Sequence, residues 1–509
     1  LKIISFYPTC RKKLVILPHN KCKILKSEYM GKLKARLAAL SFLEFAVWGT
    51  YLVSMGMFLG KIGLGDKIYL FYMVQGLVSL IMPALIGIVA DRWIPAQRTL
   101  SLCHLISGLF MCGAGVYAMS ALPDGWYAMD TADLAGLVQF GPLFTLYTVS
   151  VAFYMPTIGL ANSVMFNALE KGGLDTVKDF PPIRVFGTVG FIVAELLINF
   201  ISVGGTTIQM SYTQFLTSAL FSLIIAVYAL TMPHCPVNKG AKGTLAQALG
   251  LDAFRLFKSK KMAIFFIFSM LLGVSLQITN GYGTMFIEQF SSMPEYAEGF
   301  LNGWFAANPT ALISLSQCSE ALCILLIPLC LKRFGIKGVM MIAMFAWVIR
   351  FGFFGIGDTN MPGVIFLIIS CIVYGVAFDF FNVSGGIYVD RQTEPRLRSS
   401  AQGLFMMMTN GIGASVGTFV AGEFVMNKLV FTDAVTTPAA KLAGWHESWL
   451  IFAAYALVVF ILFCFIFKAL LSAIDDTVLL PGYSYLARDA RNRVGALRAC
   501  APSSAWRCF

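Results

Sequence analysis

Six ionisable side chains lie inside stretches of roughly 20 otherwise apolar residues: Glu44, Arg184, Glu195, Glu320, Arg350 and Asp379. A charge in such a stretch costs several kcal/mol unless it is paired or wet, so each is a candidate for binding or moving an ion. The strongest setting surrounds Asp379, in the run Tyr374-Gly-Val-Ala-Phe378-Asp379-Phe380-Phe381-Asn382. A carboxyl buried among rings is less costly when neutral, so it can take up and give up a proton as its access to water changes. With aromatic rings beside it that can stack on a planar ligand, it has the chemistry to couple a proton to an aromatic solute. The competing assignment is a structural ion pair with Arg350 or Arg184.

Arg184, Thr188, Phe191 and Glu195 recur at i, i+4, i+7 and i+11, which is one narrow helical face. A charged, hydroxylated and aromatic stripe reads as a cavity wall, although Arg184 could equally be a helix-end residue snorkelling to the interface. Gln277 and Asn280 are three apart, as are Gln317 and Glu320, so each pair shares a face. Neutral amides offer donors and acceptors to a hydroxyl-bearing heterocyclic solute, or to neighbouring helices. Glu44 and Glu195 read as structural, or as facing water near a helix end. His104 reads as a hydrogen-bonded core residue, and Met406, Met407 and Met408 as packing surface.

The elements that must position these groups follow from composition. The 509 residues are 58% hydrophobic and only 13% charged, which excludes an ordinary soluble domain with about a quarter of its residues charged. About twelve apolar spans are expected, near 37–60, 68–90, 97–119, 136–162, 183–203, 211–232, 262–287, 309–331, 336–356, 362–388, 400–421 and 446–468. With the N-terminus inside, about nineteen Lys and Arg fall on the cytoplasmic side and about four outside, and an even span number returns the C-terminus to the cytoplasm. The net charge of +12 is dispersed over short loops with no aromatic-interleaved patch, so nucleic acid is not expected as a partner. The 12 Cys form no CxxC pair and stand beside no His cluster, and no Walker A motif, catalytic triad or metal-ligand spacing is present. No enzyme chemistry, cofactor or metal is therefore expected, and transport would draw on an ion gradient or on the solute's own.

The longest hydrophilic interruption divides the apolar region into two six-helix halves, the organisation of a transporter that binds at mid-membrane between its halves. The expected organisation is a basic extension at 1–29 that is not native, with Met30 as the start. An N-terminal half at 30–235, a cytoplasmic linker at 236–261, a C-terminal half at 262–470 and a disordered polar tail at 471–509 follow. Asp91-Arg92, in the loop after the second span, resembles the loop signature of the major facilitator superfamily, where it latches one conformation. A generic positive helix end is the alternative.

Longer motifs carry a narrower resemblance. FYMPTIGL at 153–160, DFPPIRVFGT at 179–188, LGLDAF at 249–254, KKMAIFFIFSMLLG at 260–273, LQITN at 276–280, YGVAFDFFN at 374–382, SAQG at 400–403 and MMTNG at 407–411 resemble the nucleoside:proton symporters of that superfamily. The resemblance runs over about residues 31–468. It implies an all-α fold of twelve transmembrane helices and a solute cavity lined by Arg184, Thr188, Phe191, Gln277, Asn280, Gln317, Glu320, Tyr374 and Phe378. It also implies that Asp379, with Glu320, is the proton-linked acid. The family pattern has an amide where Glu44 stands and an apolar residue where Glu195 stands. The expected function is proton-coupled nucleoside uptake by alternating access across a bacterial inner membrane, by a protein working as a monomer. A proton-coupled carrier of another solute such as a sugar, and a nonconcentrative facilitator or sensor, stay open at this point.

Overall fold

The structure is a computed structural model describing residues 19–237, 251–297, 300–394 and 398–471. Residues 1–18 of the expected extension, 238–250 of the expected linker and 472–509 of the expected tail lie outside the described residues, as do Lys239, Lys242 and Arg396.

Apolar composition leaves the backbone no water to bond, and the helix is the element that satisfies every peptide group within its own segment. The helices that matter here are α1 (His19–Gly49), α2 (Met55–Lys61), α3 (Ile68–Arg92), α4 (Ala96–Ala121), α5 (Phe140–Lys171), α6 (Thr176–Phe200) and α7 (Thr213–Ala229), then α8 (Lys260–Gly273), α9 (Ile278–Gln289), α10 (Pro309–Ile356), α11 (Gly363–Gln392), α12 (Arg398–Met406), α13 (Ala414–Val420) and α14 (Pro438–Leu471), with shorter helical turns between some of them. Among the described residues nine helices are long and apolar enough to cross a membrane. One of them, α10, is 48 residues long, about twice what a bilayer needs at roughly 1.5 Å per residue. It is broken at Gly335, whose φ of 67° is left-handed, so the eighth and ninth expected spans are joined by one residue instead of a loop. Pro309 sits in its first turn, where no backbone N–H is missed.

Three further elements differ from the hydropathy reading. The first span is two helices, α1 and α2, separated by turn residues 50–54. The seventh is also interrupted, at 274–277 between α8 and α9. Residues 19–29, part of the expected basic extension, are the first part of α1, in which Lys32 and Glu28 form an exposed pair at 2.6 Å. Beyond α12 the chain widens into π-helix at Met407–Gly413 and again at Ala421–Met426, on either side of α13. Such widenings are often found at functional sites.

The described residues fall into two compact units. In the first, residues 19–63 and 81–237, α4 packs on α5 and α7, and α1 on α6. A polar cluster lies in this packing. His104 Nε2 is 2.9 Å from Glu44 Oε2, and His104 Nδ1 is 3.0 Å from Ser222 Oγ. Thr157 donates to Glu44 Oε1 at 2.6 Å, and the Tyr154 hydroxyl donates to the Glu44 carbonyl at 2.8 Å. Glu44 and His104 are 1% and 0% exposed, so the structural reading of both holds and the water-facing reading of Glu44 does not. Hydrogen bonds to both carboxyl oxygens of Glu44 and both ring nitrogens of His104 lower the cost of this burial.

In the second unit, residues 64–80 and 251–471, α10 packs along α11 and against α14. The first part of α3 belongs here: the Tyr69 hydroxyl donates to Glu423 Oε2 at 2.9 Å, and Ser415 Oγ donates to the Met73 carbonyl at 3.3 Å. At Gly375 the α11 backbone approaches α10 so closely that an added Cβ would lie 2.6 Å from Ser319 O and 2.7 Å from Glu320 N.

Two stability outcomes follow. Glu44→Leu takes the partner from His104 Nε2 and one of the two acceptors from the Thr157 hydroxyl, whose other is the Tyr154 carbonyl, and is expected to cost about 2 kcal/mol in reversible unfolding in mixed micelles. Glu44→Gln keeps an acceptor and should cost less than half of that; equal losses would contradict the network. Gly375→Val forces α10 and α11 apart and is expected to cost about 2–3 kcal/mol in the same measurement.

Candidate functional site

The candidate residues divide between the units. In the first, α6 carries the predicted stripe. Arg184 and Thr188 are half-buried, whereas Phe191 and Glu195 are 7% and 0% exposed, so the stripe runs from accessible to enclosed along the helix. The Arg184 guanidinium carbon lies 3.9 Å from the centre of the Phe45 ring on α1. A cation over a ring face at this range is attracted by the ring quadrupole and fixed in direction by it. Phe191 meets the Trp48 ring edge-on, with centroids 6.2 Å apart, and Trp48 lies 6.2 Å from Tyr154. Trp48 Nε1 has no hydrogen-bond partner among the described residues, although it is shielded from solvent. Phe45 and Trp48 were not singled out from the sequence. Their signal was available, since they follow Glu44 at one and four positions on the same span.

In the second unit, Gln277 stands where the turn at 274–277 enters α9. Asn280 Nδ2 donates to Gln277 Oε1 at 2.9 Å, and both side chains are half-buried. The shared helical face predicted for this pair is therefore realised in the first turn of a new helix, not in the middle of a continuous one.

On α10, Gln317 is 7% exposed and its Oε1 has no hydrogen-bond partner among the described residues. Glu320, one turn on, is half-buried. On α11, Tyr374 and Phe378 stack with centroids 5.6 Å apart and planes 13° from parallel. Tyr374 is buried and Phe378 half-buried, so the pair leads from the interior toward an accessible edge. Asp379 follows at 6% exposure, its Oδ2 without a hydrogen-bond partner among the described residues, and Glu320 acts on it electrostatically. The close approach at Gly375 brings these two acids toward each other, because it sets the α10 backbone at Glu320 against α11 one turn before Asp379.

The expected alternative of an ion pair between Asp379 and Arg350 is not what the structure contains. Arg350 Nη1 donates to Ser316 Oγ at 3.3 Å and to the Ser370 carbonyl at 3.1 Å. Its guanidinium carbon lies 4.3 Å from the centre of the Tyr374 ring. Serines and an aromatic face take the place of the carboxylate.

Asp91 is exposed and Arg92 half-buried at the C-terminal end of α3, followed by Trp93 at 68% exposure. Among the described residues no group of three His, Cys, Asp or Glu is arranged to hold a metal ion. Of the methionine run, Met408 is buried and Met406 is half exposed.

This geometry offers an acid able to accept a proton, stacked rings, and amide and hydroxyl groups, and comparison with known proteins gives it a family. A family model described as "Nucleoside H+ symporter" matches residues 30–471. The chain is 42% identical over 436 residues to the xanthosine permease of Escherichia coli (strain K12), covering 85% of this chain and 95% of that one. It is 40% identical over 439 residues to the nucleoside permease NupG of the same organism, covering 86% and 96%. The crystal structure of nucleoside transporter NupG superposes with a TM-score of 0.72 at 39% identity, covering 86% of this chain and 99% of that one. The chain belongs to the nucleoside:H+ symporter family, with the all-α membrane fold of the major facilitator superfamily.

Proposed function

We propose that this protein takes up nucleosides together with protons by alternating access, as a multi-pass protein of the inner membrane and not as an enzyme. The observation that carries the coupling is Asp379, nearly enclosed and with a carboxyl oxygen that has no hydrogen-bond donor among the described residues, one residue beyond a stacked aromatic pair. In hydrocarbon an ionised carboxylate without a partner is costly and its neutral acid is not, so protonation is what lets the loaded protein close. Asp379 takes its proton from the outer side, Glu320 adjusts the field around it, and loss of the proton to the more alkaline cytoplasm resets the cycle.

The nucleoside is held by groups matched to its two halves. Tyr374, Phe378 and Phe191 are suited to stack on the base or cover the ribose. Arg184, Thr188, Gln277, Asn280, Gln317 and Glu320 are suited to its hydroxyls and heteroatoms. Asp91 and Arg92 serve as the cytoplasmic latch of one conformation. Both termini are cytoplasmic, supported by Lys34, Arg36, Arg92, Arg98, Lys171, Arg255 and Lys258 all falling on one side of the expected spans. The monomer is the working unit, as suits a fold in which a single chain supplies every group named here.

Labelled uridine uptake into proteoliposomes tests this reading. An inward proton gradient should drive accumulation above the equilibrium level, and a protonophore should reduce it to equilibration. Excess unlabelled adenosine or xanthosine should compete, and a hexose should not. Competition by the hexose, or accumulation indifferent to the protonophore, would overturn the assignment.

A further inference from the structure

We propose that Arg350 is a positioning residue for the nucleoside, acting through Tyr374 and through the α10–α11 contact; this rests on the functional reading just given. Arg350 is 1% exposed, and among the described residues no carboxylate lies within ion-pair distance of it. A cation retained in such a place without an acid is there for something other than charge neutralisation.

Its contacts say what. One guanidinium nitrogen reaches Ser316, in the first part of α10 and adjacent to Gln317. The same nitrogen reaches the Ser370 carbonyl on α11, one turn before Tyr374, and Ser370 Oγ returns a hydrogen bond to the Arg350 carbonyl at 2.8 Å. The guanidinium carbon sits 4.3 Å from the Tyr374 ring centre, while Trp347 meets that ring edge-on with centroids 5.9 Å apart at 89°. One side chain thereby fixes three things: the helix bearing Gln317 and Glu320, the helix bearing Phe378 and Asp379, and the tilt of the ring that begins the aromatic stack. Both hydrogen bonds come from one nitrogen, which an ammonium can also supply, but lysine lacks the planar guanidinium that lies against the ring, so it is a partial substitute that keeps the charge and loses the ring contact. Arg350 touches no solute itself.

The test compares purified intact protein with Arg350→Gln and Arg350→Lys in proteoliposomes, reading initial rates of proton-driven uridine uptake and equilibrium binding of labelled uridine. For Arg350→Gln the expected result is a rise of about tenfold in both KM and Kd, with kcat within about twofold of the intact protein. Arg350→Lys should recover part of that rise. A residue that merely holds the fold would lower the yield of folded protein and leave the KM of the folded fraction unchanged, and that result overturns the proposal. So does a fall in kcat at constant KM. If Arg350→Gln does not fold, Arg350→Lys decides alone: a KM about threefold or more above the intact value supports the role, and an unchanged KM removes it. Absence of uridine binding by the intact protein would instead sink the functional reading, before any variant is compared.

Discussion

Inside a bilayer a polar group cannot fall back on water, so every one must find its partner within the protein or be the place where something binds. This constraint explains most of the structure. It makes nearly every element a helix, because a helix satisfies its own backbone. It draws Glu44 and His104 into a hydrogen-bonded pair braced by Thr157 and Ser222. It seats Arg350 on two serines and a ring. Many buried side-chain polar atoms still have no hydrogen-bond partner among the described residues, Arg350 Nε included. Asp379 Oδ2, Gln317 Oε1 and Trp48 Nε1 are three of them. These three belong to, or lie beside, the residues whose chemistry suits a proton and a nucleoside.

Much of this was legible in the sequence because it is local. Apolar runs of bilayer length mark the spans, and the 3.6-residue period puts Arg184, Thr188 and Phe191 on one helical face without any knowledge of what α6 packs against. The Tyr374-to-Asp379 run announces itself by composition alone. The features that were not legible depend on residues far apart in the chain. Arg350 looked like a possible partner for Asp379 because opposite charges in apolar spans attract attention. Nothing local says that Ser316 and Ser370, at 34 and 20 residues' remove, are its partners. The Glu44 cluster joins residues 60 and 113 positions apart. His104 could be read as a bonded core residue, but not with whom.

Helix interruptions were missed for a different reason. Hydropathy averages over about 19 residues, so a break of four or five residues within an apolar stretch leaves the average unchanged. The turns at 50–54 and 274–277 are invisible to it, and so is the single left-handed Gly335 that divides α10. The second of these turns has the largest bearing on the site, because it places Gln277 and Asn280 at the start of a fresh helix. The α10–α11 contact supplies the complementary rigidity. Glycine at 375 lets the backbones meet, and Arg350 ties the helices together just beyond. Gln317, Glu320, Tyr374, Phe378 and Asp379 thereby sit on a fixed frame, while Gln277 and Asn280 sit on a segmented one. Rigid placement suits the acid that must be sheltered and released, and segmentation suits the groups that must adapt to a solute.

The central claim is that Asp379 carries the proton. Its most direct measurement is paired: uridine-evoked proton entry into lightly buffered proteoliposomes, and exchange of labelled for unlabelled uridine in the same vesicles, for the intact protein and for Asp379→Asn. The account predicts that the intact protein shows both and that the variant keeps exchange while losing uridine-evoked proton entry, since a permanently neutral amide mimics the loaded acid. A variant that still moves protons with uridine would contradict it.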